Sequence, residues 1–314
     1  MSAPGRSQAL IPQRAARSAE GRPMTTEAVQ KYLAPTRLDQ ALAALALPGG
    51  ATVLAGGTDL APQTESGVRS YGPRLVNIRR VEGLGGIRAE GGEIRIGATT
   101  TVSEIRASKL LAEQAPVLVQ AAERFASDQI RNAATLGGNL CNASPAGDMS
   151  PPLLVLDAAV ELSCWHDDAV QTRRVPLADF FLAPGKTVRR PEELLTAVVF
   201  ARPAAGFVAR FRKAGPRPAL EISTVSLAFG ARLDGGVLHE VRVAMGSVAP
   251  TPLRARRVEA ALEGRALDEA AIAAAVEAAS QDARPIDDVR ASAWYRGHLV
   301  RVFVEEVLND VRGN

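Results

Sequence analysis

The sequence predicts two α+β domains in tandem, the first mixing strands with helices and the second placing a β-hairpin ahead of helices. Three observations carry this. A length of 314 residues suits two domains of roughly 150 residues each. Short β-like and helical segments are mixed up to about Pro203. Beyond it, two β runs flank Asp234-Gly235-Gly236, a hairpin signal, and Ala-rich amphipathic stretches follow. The domains are accordingly expected at 24–202 and 203–314. The polar, Arg-rich stretch over 1–23 lacks an apolar signal-peptide core and is expected to be a disordered extension or a misassigned start.

Taken in order, "TRLDQALAALAL" (Thr36–Leu47) has apolar residues at helical spacing, Thr36 as a cap candidate and a Pro-Gly-Gly stop. A short strand over Thr52–Leu54 breaks at Gly56-Gly57. "RLVNI" (Arg74–Ile78) and "EIRIGATTT" (Glu93–Thr101) read as strands, with a Gly-rich turn in "EGLGGI" between them. A helix is expected over Ser108–Ala126, kinked or broken at Pro116. "PPLLVLDAAVELSC" reads as a short helix running into a strand. In the second domain the hairpin "TVSLAFGARLDGGVLHEVRVAMGSV" precedes helices at Thr251–Leu262, Asp268–Ala279 and Ala291–Val311.

Composition narrows the function classes. Hydrophobic residues make up 46% and charged residues 23%, ordinary for a globular chain with a sizeable core. No window reaches about 18 uninterrupted apolar residues, so no membrane span is expected, and the two sparse cysteines read as reduced thiols of a cytoplasmic protein. Thirty-three of the 37 basic residues are arginine, scattered among acids, and the net charge is only +3. That dispersal argues against a nucleic-acid footprint. Two cysteines, Cys141 and Cys164, and three separated histidines supply no metal-ligand spacing, so neither zinc nor an iron–sulfur cluster is expected here.

Several motifs fail on inspection. "APGKT" (Ala183–Thr187) would need a glycine where Phe180 stands to form a phosphate loop, and "EGLGGI" has the wrong third spacing for a dinucleotide turn. What remains is a pair of glycine pairs about eighty residues apart: "LAGGTDL" (Leu54–Leu60) and "TLGGN" (Thr135–Asn139). Each sets Gly-Gly among hydroxyl and amide side chains. Backbone N–H groups in such loops can converge on phosphate oxygens, with Thr58, Thr135 and Asn139 as added donors. Neither loop holds a lysine, so binding would rest mainly on neutral donors. From the residues alone, a two-phosphate site and two ordinary tight turns are both open.

Together with "IGATTTVSEI" (Ile96–Ile105), "IRNAATLGGNLCNASPAGDMSPPLLVLDA" (Ile130–Ala158), "DFFLAPGKT", "RPEELLTAV" and "FRKAGPRPALEISTVSLAF" (Phe211–Phe229), these loops resemble the FAD-binding medium subunit of the molybdenum hydroxylases. That family spans xanthine dehydrogenase, carbon monoxide dehydrogenase and aldehyde oxidoreductase types. The resemblance runs in order from about residue 30 to the C-terminus. It implies a two-part FAD fold of the vanillyl-alcohol oxidase-like type, followed by a smaller domain of antiparallel sheet and helices. It also implies cofactor contacts at Leu54, Ala55, Gly56, Gly57, Thr58, Asp59, Leu60, Thr99, Phe125, Thr135, Gly137, Gly138 and Asn139, the two loops meeting at the pyrophosphate. Asp148 matches a partner of the flavin's sugar-alcohol chain. Leu194 is carried over from "PEELL". Lys213 matches a basic residue near the flavin, and a one-residue shift would put Arg212 there.

No residue is expected to act as a dedicated acid, base or nucleophile, because the flavin supplies the chemistry. The resemblance further implies a heterotrimer. A large subunit would hold the molybdenum cofactor and a small one two [2Fe–2S] clusters, with electrons reaching FAD here and passing to NAD or another acceptor. The [4Fe–4S] cluster that some relatives carry on this subunit is expected to be absent. Two alternatives are a stand-alone FAD-dependent oxidoreductase of the same fold and an assembly subunit without flavin. Substrate, terminal acceptor and stoichiometry are not legible. Nearby residues have double readings: Cys141 as buried thiol or redox group, Arg131 as phosphate-steering or solvated or interface arginine. Trp165, Trp294 and Tyr295 read as packing or interface residues rather than flavin stackers.

Overall fold

The computed structural model describes residues 29–217 and 222–313, and the leader expected over 1–23 lies outside them. A small parallel sheet comes first, built from β1 (Lys31–Leu33), β2 (Thr52–Leu54) and β3 (Arg74–Asn77) in the order β1-β3-β2. Helix α1 (Leu38–Ala46) buries Ala41, Leu42, Ala44 and Leu45 against it. Its cap position is Arg37 rather than the expected Thr36, and Arg37 instead holds Asp39 in the first turn. The loop after β2 enters α2 (Leu60–Glu65).

From Ile87 the chain builds a second, antiparallel layer. Strands β4 (Ile87–Glu90) and β5 (Glu93–Gly97) lead into a run of short helices: α3 (Val102–Ala107), α4 (Lys109–Gln114), α5 (Pro116–Glu123), α6 (Asp128–Arg131), α7 (Leu136–Asn142) and α8 (Ser150–Val155). The strand expected through Thr101 stops at Gly97, because Thr101 caps α3 in a reciprocal box with Glu104. The helix expected over Ser108–Ala126 breaks as Pro116 dictates, Pro116 starting α5 where a missing N–H costs nothing. Strands β6 (Ala159–His166), β7 (Ala169–Pro176), β8 (Phe181–Ala183), β9 (Lys186–Thr187) and β10 (Leu194–Ala201) follow. The sheet order is β4-β5-β10-β6-β7, with β8 and β9 paired apart. Seven of the eight residues of β10 are buried, as befits a central strand covered on both faces.

The third layer is the antiparallel sheet of β11 (Phe207–Ala214), β12 (Val225–Asp234), β13 (Val237–Gly246) and β14 (Leu253–Arg254). The expected hairpin is there, β12 and β13 pairing through Asp234 and Val237. Helices α9 (Arg256–Leu262), α10 (Glu269–Asp282) and α11 (Ala293–Arg312) cover one face. The other face joins the main core: Ala209, Phe211, Ala228 and Ala244 pack with residues of α5 and α8. Period-two alternation thus makes this sheet the wall between two cores. No described helix is long and apolar enough to cross a membrane.

Candidate functional site

A cleft of about 320 Å³ opens between the small parallel sheet and α7. One wall is β2 and its loop, Ala55 through Leu60. The other is Ala134, Thr135, Gly137, Gly138, Asn139, Cys141 and Asn142, with Phe125, Leu194 and Leu195 closing the apolar end. The two glycine loops therefore do meet. Gly56 is what permits it, since a Cβ there would stand 2.0 Å from the Ala133 carbonyl oxygen. Gly57, at φ +76°, turns the chain through the left-handed region into α2. Gln63 of α2 then donates from Nε2 to Asn142 Oδ1 of α7 at 3.0 Å, tying the walls together.

Their backbones behave differently. Among the described residues, the N–H groups of Gly56, Gly57, Thr58, Asp59 and Leu60 find no acceptor. Those of the second pair are all spent. Leu136 donates to Thr100 O and Gly137 to Ala98 O, each at 2.9 Å, and Asn139 to Thr135 O at 2.9 Å. Gly138 donates to Thr135 Oγ1 at 3.1 Å, so Thr135 is the N-cap of α7. Of the two readings left open for the glycine pairs, the second loop follows neither: "TLGGN" is a helix start, and its glycine is needed for packing, a Cβ on Gly137 falling 2.8 Å from Ala98 Cβ. Leu136 and Leu140 anchor that helix, fully buried and contributing about 2 kcal/mol each. The buried Asn139 Oδ1 has no hydrogen-bond partner among the described residues.

Two arginines that sequence reasoning missed, Arg69 and Arg189, also line the cleft. Arg189 is held by Nη1 to the carbonyls of Glu193 (2.6 Å) and Arg190 (2.9 Å). Glu193 is fixed in turn by a two-pronged pair with Arg173, at 2.6 and 2.9 Å. Burial would raise the Glu193 carboxyl, but Arg173 and the Arg190 N–H hold it below the usual carboxylate range. The run "VRRPEE" could have pointed to this cluster, whereas Arg69 had no local signal. To the mainly neutral donors of the two loops the structure thus adds positive charge at the cleft's edge. Desolvation raises the Asp59 carboxyl, Arg69 opposing it, although Asp59 keeps an exposed surface. Burial likewise pushes the Cys141 thiol up, against the pull of Arg189 and Arg69. That is the environment of an inert thiol.

Four of the expected residues lie off the cleft wall. Leu54 ends β2, its carbonyl accepting from Ile78. Thr99 donates its N–H to Leu84 O. Asp148 and Lys213 form a buried ion pair, Nζ to Oδ2 at 2.6 Å, with Ser223 Oγ on the other carboxylate oxygen. Strand alternation settles which basic residue faces inward. Lys213 turns into the core and donates to Arg124 O at 3.0 Å, while Arg212 faces Glu306 and Asp310 of α11. Arg131 is neither solvated nor in the cleft wall. It is buried, its guanidinium on the carbonyls beside Phe125. Trp294 is exposed and stacks on His298, and Tyr295 is exposed beside it. Among the described residues, no group of three or more His, Cys, Asp or Glu side chains is placed to hold a metal ion.

A row of unspent N–H groups beside two guanidinium groups fits a ligand carrying anionic oxygens, and the diphosphate of a dinucleotide meets that description. The Gly56 approach keeps the loop low enough for backbone to face such a ligand. The comparisons agree in kind. Residues 25–203 match the family described as "FAD binding domain in molybdopterin dehydrogenase". Residues 210–311 match "CO dehydrogenase flavoprotein C-terminal domain". The chain is 34% identical over 262 residues to the xanthine dehydrogenase FAD-binding subunit of Escherichia coli O157:H7, covering 83% of this chain and 88% of that one. It is 31% identical over 281 residues to the carbon monoxide dehydrogenase medium chain of Hydrogenophaga pseudoflava, covering 89% and 96%. A solved carbon monoxide dehydrogenase from Hydrogenophaga pseudoflava superposes with a TM-score of 0.83 at 32% identity, covering 90% of this chain and 96% of that one.

Proposed function

The chain belongs to the FAD-binding medium subunits of the molybdenum hydroxylase family, and from that membership we propose that this cleft seats FAD within an electron-transfer complex. The chain is a subunit of an oxidoreductase, and we propose that the molybdenum and iron–sulfur centres of the complex lie in other subunits. In the proposed complex, one larger partner carries the molybdenum cofactor and one smaller partner two [2Fe–2S] clusters. The bound flavin supplies the redox chemistry, taking electrons that arrive from the small partner and handing them to NAD or another acceptor.

The observation that carries the reading is the row of Gly56–Leu60 N–H groups, without acceptors among the described residues, in a cleft that Arg69 and Arg189 also line. Those N–H groups would hold the diphosphate, with Thr58 Oγ1 and the two guanidinium groups completing its shell. Thr135 and Gly138 would shape the opposite wall, Asn139 would offer its carboxamide, and Phe125 and Leu194 would meet an aromatic ring. Asp148 and Lys213 would act from behind the wall, holding the segment around Arg124. We assign the cofactor domain to 24–202 and the smaller domain to 203–314.

The test is isolation of the chain from its native host, with an absorbance spectrum and mass spectrometry of whatever accompanies it. The expected outcome is a flavin spectrum with an iron–sulfur shoulder, one larger partner and one smaller. A yellow chain that comes down alone and turns over a small molecule would replace this reading with an independent flavoenzyme. A colourless complex would leave an assembly subunit.

A further inference from the structure

We infer that Arg131 is a positioning residue for the aromatic wall of the cleft, acting through the backbone of Phe125; the inference rests on the reading of the cleft as an FAD site. Helix α5 ends at Glu123, and the last carbonyls of a helix have no partner within it. Here the final one, Glu123 O, and the carbonyls of Phe125 and Ala126 just beyond the helix converge on one buried cation. Arg131 Nη1 donates to Phe125 O, and it also lies 3.3 Å from Ala126 O and 3.5 Å from Glu123 O. Its Nη2 is pinned to Asp128 Oδ1 at 2.8 Å, which fixes the plane of the guanidinium. A positive group at a helix C-terminus also meets the negative end of the peptide dipoles.

The held segment is one that would not hold itself. Ala126 sits at φ +36°, outside the regions a Cβ-bearing residue ordinarily prefers. Lys213, reaching in from β11, grips the Arg124 carbonyl at 3.0 Å. Three consecutive carbonyls, at residues 124, 125 and 126, are therefore held by two cations, one from each domain. Between them the Phe125 side chain is presented to the cleft, and the residue is 9% exposed. Arg131 does not line the cleft, and its side chain is 10% exposed, so it acts on a ligand through the segment it holds, of which Phe125 is the residue that lines the cleft.

The experiment measures FAD dissociation constants and melting temperatures for the full chain, stripped of cofactor and reloaded. The variants are Arg131→Met, Arg131→Lys, Phe125→Ala and the double variant Arg131→Met/Phe125→Ala. The inference predicts that Arg131→Met weakens FAD about tenfold and that the double variant is no weaker than Phe125→Ala alone, because both act on one contact. Arg131→Lys should recover part of the loss. An FAD affinity within about twofold of wild type in Arg131→Met, or losses that add fully in the double variant, would overturn it. Should Arg131→Met fail to fold, Asp128→Asn at the exposed carboxylate that pins the same guanidinium carries the test. A weakening of FAD that vanishes in the Phe125→Ala background supports the inference, and an unchanged affinity overturns it. Wild-type chain that takes up no FAD would overturn the reading of the cleft itself, and this inference with it.

Discussion

Among the described residues, the loop at Gly56-Gly57 leaves five consecutive N–H groups without acceptors, whereas the turn at Gly137-Gly138 spends every one of its own inside the protein. The first is an electrostatic surface and the second is a rigid wall. Both need glycine, for different reasons. Gly56 allows two backbone segments to touch, Gly57 supplies a left-handed turn, and Gly137 lets α7 press against Ala98. What the contrast teaches is that a Gly-Gly pair reports close approach, and only the fate of its N–H groups says whether the approach serves a ligand or the core.

The most severe way to break the contrast is Gly56→Ala. Its Cβ would overlap the Ala133 carbonyl oxygen at 2.0 Å, backbone against backbone, with no flexible side chain to give way. The walls must part, so FAD uptake should fall by about a hundredfold or more, alongside a loss of stability beyond about 3 kcal/mol. Gly57→Ala meets only Leu54 Cδ1 at 3.3 Å and costs chiefly its positive φ, about 1–2 kcal/mol. Titration with FAD and thermal unfolding of both variants check the ranking. Wild-type binding by Gly56→Ala would show that the two loops need not touch for the cofactor to seat.

How much of this was legible beforehand follows the range of the interactions. Local rules located the strand at Thr52–Leu54, the break at Pro116 and the hairpin at Asp234, because each depends on residues a few positions apart. Strand β5 ends four residues short of the strand-like sequence, since Thr101 with Glu104 makes a better helix start than a strand end. Contacts across the fold left no local mark. Nothing in "AGGTDL" names Ala133 as the atom that Gly56 must clear. Nothing in "IRNAAT" says that Arg131 folds back on the end of α5. The ion pair of Asp148 and Lys213 spans 65 residues, and strand alternation alone decides that Lys213 rather than Arg212 turns inward. Arg69 was invisible for the same reason, its place at the cleft being set by the turn after α2.

A pair of threonine variants separates the two loops at intermediate cost. Thr135→Ala removes the cap of α7 and leaves the Gly138 N–H unpaired, so stability should fall by about 1 kcal/mol. Thr58 makes no hydrogen bond among the described residues, and Thr58→Ala should leave the melting temperature unchanged while weakening FAD several-fold, about 1 kcal/mol for one lost donor. Melting curves with and without FAD read both quantities. Were Thr58→Ala to destabilise the chain and spare the cofactor, the division into a binding loop and a structural loop would fail.

The smallest effect belongs to the charge at the cleft edge. Arg69 is exposed, so its attraction for a diphosphate is screened by water and salt, and Arg69→Ala should weaken FAD only about two- to threefold at ordinary ionic strength. The sharper signature is the salt dependence. If Arg69 acts through charge, its removal flattens the decline of FAD affinity with added salt, and the wild-type and variant curves converge as the Debye length shrinks to about 3 Å near 1 M. The N–H row of Gly56–Leu60 predicts the complement: neutral, enclosed donors should supply a residual affinity that salt does not remove. Parallel curves for the two proteins would place Arg69 outside the cofactor's field and leave the backbone loop to hold the diphosphate with Arg189.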